Sequence, residues 1–326
     1  MTQAVLVKLL AIMATVGLGW LAAKRGCLGS LGNSSPGGTD PAQVLSHTAF
    51  YLFVPALLFR TMARQDLQAL PWRMVAAYFV PALAYSLAIY GWQRLRVHAH
   101  PAAPATRTVA AVYGNAVQLG IPLAAALFGE TGLALHIALV SLHGLLLLTV
   151  LTVLVETDLA RQSHGATRWD TLRTTVRNTL VHPVVLPIVL GLLWNLTGRG
   201  LHPVLDQTLL SLGSAVIPVC LVLIGVSLAS HGLRGGLGPA LAVSVLKLLV
   251  MPAWVLGVAY GAFGLTGTPL AVLVMMAALP VGSNALIFAQ RYGTLQAEAT
   301  VASVVSTVAF MGTATMWLAV LAALGS

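Results

Sequence analysis

Charge is what this sequence has least of. Only 8% of its 326 residues are Asp, Glu, Lys or Arg, where a soluble domain carries roughly 25%. With 58% apolar residues and a mean hydropathy of +0.90, there is too little charge to cover a water-facing surface. A soluble enzyme and a DNA-binding protein are excluded, and nucleic acid is not an expected partner. Cysteine is nearly absent: Cys27 and Cys220 fall in a loop and a span, so no disulfide framework or zinc spacing arises. No nucleophile–base pair or metal constellation is present, so neither an enzyme nor a cofactor is expected. A signal peptide is missing too. The first apolar run, Ala4–Ala23, has no basic segment before it and Lys24-Arg25 after it, so it reads as a span.

What is present are apolar blocks of the roughly 20 residues that cross a bilayer. Hydropathy predicts ten: Ala4–Ala23, Ala42–Met62, Trp72–Trp92, Thr108–Phe128, Leu133–Val155, Asn178–Thr197, Leu205–Ala229, Gly238–Ala262, Pro269–Arg291 and Ala297–Ala323. The fold class is therefore an all-α polytopic membrane protein. The segments between spans are short, except Gly29–Pro41, Gln93–Arg107 and the polar midpoint Glu156–Arg177. Eleven Lys and Arg residues fall in the odd-numbered loops and four in or beside the even ones. By the positive-inside rule the odd loops are cytoplasmic and both termini face outward. That charge bias also accounts for the net +9.

The two halves resemble each other. Gly17-Leu-Gly-Trp20 precedes Arg25-Gly26 as Gly191-Leu-Leu-Trp194 precedes Arg199-Gly200, with the same Trp-to-Arg spacing. Pro55, Pro81 and Pro122 lie in the second, third and fourth spans of one half, against Pro218, Pro252 and Pro280 in the other. Five spans per half is an odd number, so the repeats have opposite topology, a signature of secondary transporters. The expected division is 1–160 for the first five-helix repeat, 161–177 for a cytoplasmic central loop and 178–326 for the inverted repeat.

Two spans are interrupted at matched positions. Span four carries Gly114, Asn115, Gln118, Gly120 and Pro122, and span nine carries Pro280, Gly282, Ser283 and Asn284. Glycine permits non-helical angles and proline removes a donor, so each break starts a half-helix with unpartnered N–H groups. Ser283 or Asn284 is positioned to cap such a start. A pocket of this kind suits a carboxylate. The bland alternative is a pair of kinked helices whose polar side chains satisfy each other.

No Asp or Glu lies deep in a span, which argues against a cation substrate. Lys247 lies near mid-membrane, where it must meet either an anionic ligand or the freed carbonyls of a broken helix. Glu130 and Glu298 follow the two broken spans and are expected to cap the next helix. His136 and His143 share a helix face, but a metal site or proton relay needs a third ligand or a carboxylate partner, and none is seen. The sequons at Asn33 and Asn195 fall in a cytoplasmic loop and in a span, and are read as chance matches.

The run Gly114-Asn-Ala-Val-Gln-Leu-Gly-Ile-Pro-Leu with Leu127-Phe-Gly-Glu130 resembles the fourth span of the auxin efflux carrier family. So do Phe50-Tyr-Leu-Phe-Val-Pro-Ala-Leu-Leu-Phe59 in span two, Lys247-Leu-Leu-Val-Met-Pro252 in span eight, and Ala278-Leu-Pro-Val-Gly-Ser-Asn-Ala285 with Gln290-Arg-Tyr-Gly293 in span nine. The short central loop resembles the bacterial branch. The resemblance implies ten spans in two inverted five-helix repeats, with the fourth and ninth crossing at their prolines. It implies transport of small organic anions such as dicarboxylates or auxin-like acids; bacterial members are usually assigned as malate or malonate permeases. By position, Asn115, Gln118 and Pro122 with Pro280, Ser283 and Asn284 form the crossover site, although Gln118 stands where the family often has a second Asn. Gly120, Gly282 and Lys247 complete the candidate set. A coupling proton or sodium ion, the lipid bilayer and a second copy of the chain are the further candidate partners. A sodium-coupled symporter of the bile-acid carrier type and a non-transporting membrane sensor are the alternatives.

Overall fold

The computed structural model describes residues 3–27, 41–68, 70–96, 100–161, 169, 173, 177, 181, 183–231 and 236–324. The Asn33 sequon, most of the Gly29–Pro41 loop, most of the 161–177 loop and the start of the sixth expected span lie outside them.

Among the described residues the chain is helical throughout, with one isolated antiparallel bridge and no strand. The helices are α1 (Gln3–Lys24), α2 (Pro41–Thr48), α3 (Val54–Ala63), α4 (Trp72–Arg94), α5 (Ala103–Val112), α6 (Ile121–His143), α7 (Thr149–Arg161) and α8 (Val185–Leu196). After these come α9 (Pro203–Ser214), α10 (Val216–His231), α11 (Leu237–Val245), α12 (Met251–Gly261), α13 (Gly267–Ala278), α14 (Asn284–Arg291) and α15 (Gln296–Ala323). Six continuous helical stretches are long and apolar enough to cross a membrane, and Leu10–Lys24, Val185–Leu196 and Gly267–Ala278 are shorter apolar helices. Large apolar side chains such as Leu10, Leu18, Leu193, Leu241 and Trp254 are exposed, a surface that suits lipid and not water. This is a multi-pass membrane protein.

Proline explains where the helices loosen. Wide π turns at Ala49–Phe53, Ala116–Gly120 and Leu246–Val250 stand immediately before Pro55, Pro122 and Pro252. Each proline withholds an N–H and presses on the preceding turn, and the chain answers by widening it. A fourth such turn, Gly144–Leu148, has no proline and joins α6 to α7. Pro81 stays inside the regular helix α4, where the indole N–H of Trp254 in α12 donates to its carbonyl at 3.0 Å. Gly129 bends α6 with φ of 63°, a left-handed value that glycine tolerates.

Glycine sets the closest helix contacts. α1 packs along α10, and a Cβ on Gly225 would lie 2.0 Å from the Val16 carbonyl oxygen. α3 packs along α8, and a Cβ on Gly191 would lie 2.6 Å from the Phe59 carbonyl oxygen. Small residues that let backbones touch are how membrane helices gain contact energy without a hydrophobic driving force. α5 and α13 are buried on almost every side, as expected of helices at the centre of a bundle.

Ion pairs hold the helix ends. Arg107 in α5 makes two bonds to Glu298 in α15, at 2.6 and 2.7 Å, and a third to Gln93 at 2.9 Å. Glu298, expected to cap α15, is therefore mainly a clamp between that helix and α5. Asp158 accepts from the Tyr90 hydroxyl at 2.7 Å, and Glu156 from Tyr292 at 3.0 Å. Asn195, dismissed as a chance sequon, donates to the carbonyls of Met62, Ala63 and Gln65 and closes the end of α3.

Candidate functional site

The two interruptions meet. α5 ends at Val112, α13 ends at Ala278, and the extended residues beyond them run antiparallel through a bridge between Gly114 and Val281. The Asn115 N–H donates to the Pro280 carbonyl at 2.9 Å, and the Gly282 N–H to the Tyr113 carbonyl at 2.9 Å. Backbone freed at this depth must find a partner inside the protein, and here each break supplies it to the other. Gly282 is required by the closeness of approach, since a Cβ there would lie 2.9 Å from the Gly114 oxygen.

Beyond the bridge each chain turns into a new helix. Asn115 and Ser283 occupy the N-cap positions, yet neither side chain caps its helix. Among the described residues, no backbone carbonyl accepts from the N–H of Ser283 or Asn284. The capping expected of Ser283 is thus not made; its side chain lies beside the buried Cys220 thiol. The Asn284 side chain is hydrogen-bonded to the Tyr113 hydroxyl.

Asn115, Gly282, Ser283 and Asn284 line one cavity of about 230 Å³. Its other walls come from α3, α8, α9, α10 and the turn after α6; Tyr113, His143 and Arg60 are its titratable members. Among the described residues, the wall contains no carboxylate. Arg60 is held by Asp206 at 2.9 and 3.2 Å, and Arg64 reaches the same carboxylate at 2.6 Å. Two guanidinium groups therefore share one acid beside this cavity. Asn115 and Ser283 also face a second, much smaller space of about 10 Å³, closed by Ile12, Leu221, Ser303 and Thr307.

The other sequence candidates divide. Pro280 contributes its carbonyl to the bridge. Gly120 is buried under His136, whose Nε2 bonds the Ala116 carbonyl at 2.8 Å, so this histidine satisfies a freed carbonyl of the broken helix. The Gln118 and Pro122 side chains lie outside the description. Lys247 is completely buried, and its ammonium donates to the Ala277 carbonyl at the end of α13. Of the two fates expected for it, this is the freed carbonyl. It does not line the 230 Å³ cavity, although its Nζ would lie 3.4 Å from a Cβ on Gly114.

Tyr113, His143 and Arg60 were missed as cavity residues. Tyr113 was visible as the residue before Gly114-Asn115, whereas Arg60 looked like an ordinary loop-edge charge.

Two comparisons bear on this arrangement. The chain is 26% identical over 284 residues to a protein of Methanothermobacter thermautotrophicus named only as an uncharacterized transporter, covering 86% of each chain. A family profile described as membrane transport protein matches residues 4–318. That match bears out the resemblance to auxin efflux carriers read from spans two, four, eight and nine: the chain belongs to this membrane transport protein family.

Proposed function

We propose that this transporter is a secondary active carrier of small organic anions, dicarboxylates or auxin-like acids, which alternates access around the Gly114–Val281 crossing. The observation that carries the reading is the pair of uncapped N-cap residues, Asn115 and Ser283, on a cavity wall that has no carboxylate among the described residues. Unpartnered N–H groups at a helix start attract an anion, and α14 presents those of Ser283 and Asn284 there. Asn115 and Asn284 supply amide donors beside them. Gly120, Pro122 and Gln118 stay in the candidate set by their sequence positions on the opposite half-helix, and Lys247 holds the end of α13 against the crossing.

We read the chain as two inverted five-helix repeats, 1–160 and 178–326, joined by a cytoplasmic loop over 161–177. The pairing of α1 with α10 and of α8 with α3 supports it, because a two-fold axis in the membrane exchanges those pairs. In this reading spans one, two, six and seven form the scaffold of a carrier in the cell's inner membrane, with both termini outside.

Uptake of labelled malate and malonate into proteoliposomes tests the proposal. Wild-type uptake above protein-free liposomes that falls in Asn115→Ala and Asn284→Ala supports it, and uptake untouched by both substitutions refutes the site.

A further inference from the structure

The 230 Å³ cavity carries three titratable side chains, Arg60, Tyr113 and His143. Of these, only an imidazole changes charge between pH 5 and 8 at its ordinary pKa. His143 is 1% exposed, and neither Nδ1 nor Nε2 has a hydrogen-bond partner among the described residues. A ring with both nitrogens unsatisfied in a buried wall calls for an explanation, because such groups are nearly always paired.

Its position supplies one. The His143 ring lies on Tyr113 with centroids 4.3 Å apart, and Tyr113 bonds Asn284 at the crossing. Tyr78 and Phe79 of α4 meet it edge-on at 6.0 and 6.3 Å. The groups that act on it electrostatically are Lys247, from the turn before α12, and His136, on its own helix. Arg60 of α3 lines the same cavity, and the lining residues of α8, α9 and α10 are uncharged. Asp206 stands behind Arg60, bonded to it at 2.9 and 3.2 Å, and among the described residues no carboxylate lines the cavity with His143. A carboxylate that enters the cavity meets a ring with two unpartnered nitrogens, and a negative charge beside an imidazole favours its protonated form.

We propose that His143 is the proton-coupling contact of the carrier: it takes up one proton as a carboxylate enters the cavity and gives it up as the carboxylate leaves. This rests on the reading of the cavity as the anion site. The proton comes from water on the entry side, forms an N–H bond on the imidazole, and is held against the carboxylate oxygen. On the exit side that N–H bond breaks and the proton returns to water, with nothing oxidised or reduced. A monocarboxylate then crosses as an electroneutral pair, and a dicarboxylate crosses with one net negative charge. Among the described residues no carboxylate lines the cavity beside His143, and that lack, which made a relay look unsupported in the sequence, is what this role requires. The partner is the cargo.

The test uses the full chain in proteoliposomes with labelled malate, malonate and indole-3-acetate, each compared with protein-free liposomes. Under an inward proton gradient of one pH unit, wild type accumulates the acid it carries up to about tenfold, since one unit is a factor of ten in proton activity. His143→Gln and His143→Asn lose that accumulation, while anion-for-anion counterflow continues at a rate lowered by less than about tenfold. Counterflow shows that the variants are folded and bind. Proton-driven accumulation that survives in His143→Gln overturns the proposal, as does wild-type accumulation driven by a sodium gradient alone. Loss of counterflow in both variants also overturns it, because His143 would then be structural. If wild type carries none of the three acids, or ignores Asn115→Ala and Asn284→Ala, the anion site itself is wrong. If those two variants are inactive and His143→Gln still follows the proton gradient, only the role of His143 falls.

Discussion

The Asn115 N–H donates to the Pro280 carbonyl at 2.9 Å, so the break in one helix satisfies the break in another that lies far along the chain. Neither interruption is tolerable alone at that depth, and each turns its following helix toward the same cavity. The two breaks therefore act as one structural unit, whose spacing is set by the residues at the crossing.

Gly282→Ala tests that unit. The new methyl carbon would lie 2.9 Å from the Gly114 oxygen and 3.3 Å from the Asn115 nitrogen. We expect a loss of about 1–3 kcal/mol, typical of overpacking, together with loss of transport. Gly257→Ala, where a Cβ meets nothing within 4 Å, is the control and should melt within a degree or two of wild type. Thermal unfolding in detergent reads both.

Arg60→Gln removes one of the two cations beside the cavity. If these arginines concentrate anions there, KM for the anion rises about three- to tenfold with little change in maximal rate. Asp206→Asn leaves Arg60 and Arg64 without their shared acid and shifts KM the other way at low salt. Uptake kinetics at two ionic strengths separate this effect from damage to the fold.

Lys247→Met distinguishes a tether from a ligand contact. The ammonium is bonded to the Ala277 carbonyl, outside the cavity lining, so the substitution should lower the maximal rate and leave KM within about twofold. A KM raised more than about tenfold would place the ammonium on the substrate.

Arg107→Met leaves the Glu298 carboxylate buried without its bidentate partner. Breaking such a pair from one side costs about 3–5 kcal/mol. Adding Glu298→Leu should recover most of it, because removing both charges also removes their desolvation cost. The melting temperatures of the single and double variants check this.

Much of this was legible in the sequence, for physical reasons. Glycine and proline in the middle of apolar runs announced the breaks, since nothing else in a span has such strong backbone consequences. Their matched positions in the two halves pointed to a meeting of spans four and nine. The side-chain partners were not legible. Whether Lys247 meets a ligand or a carbonyl depends on where α13 ends, and hydropathy places span edges only to within several residues. Ser283 looked like a helix cap by its position before Asn284, but its side chain makes no cap bond and lies beside Cys220, from a distant helix. His143 was set aside because its nearest partner was sought within the chain. The π turn before Pro122 was likewise invisible, because a single sequence shows that proline perturbs a helix without showing how the preceding turn yields.

The central claim is that the crossing binds the transported anion. The most direct measurement is initial uptake of labelled malate and malonate into proteoliposomes by wild type, Asn115→Ala and Asn284→Ala, with equal amounts of folded protein. The account predicts saturable wild-type uptake that drops at least about tenfold in both variants. Wild-type rates in both variants would contradict it, and would make the crossing a structural knot with the binding site elsewhere.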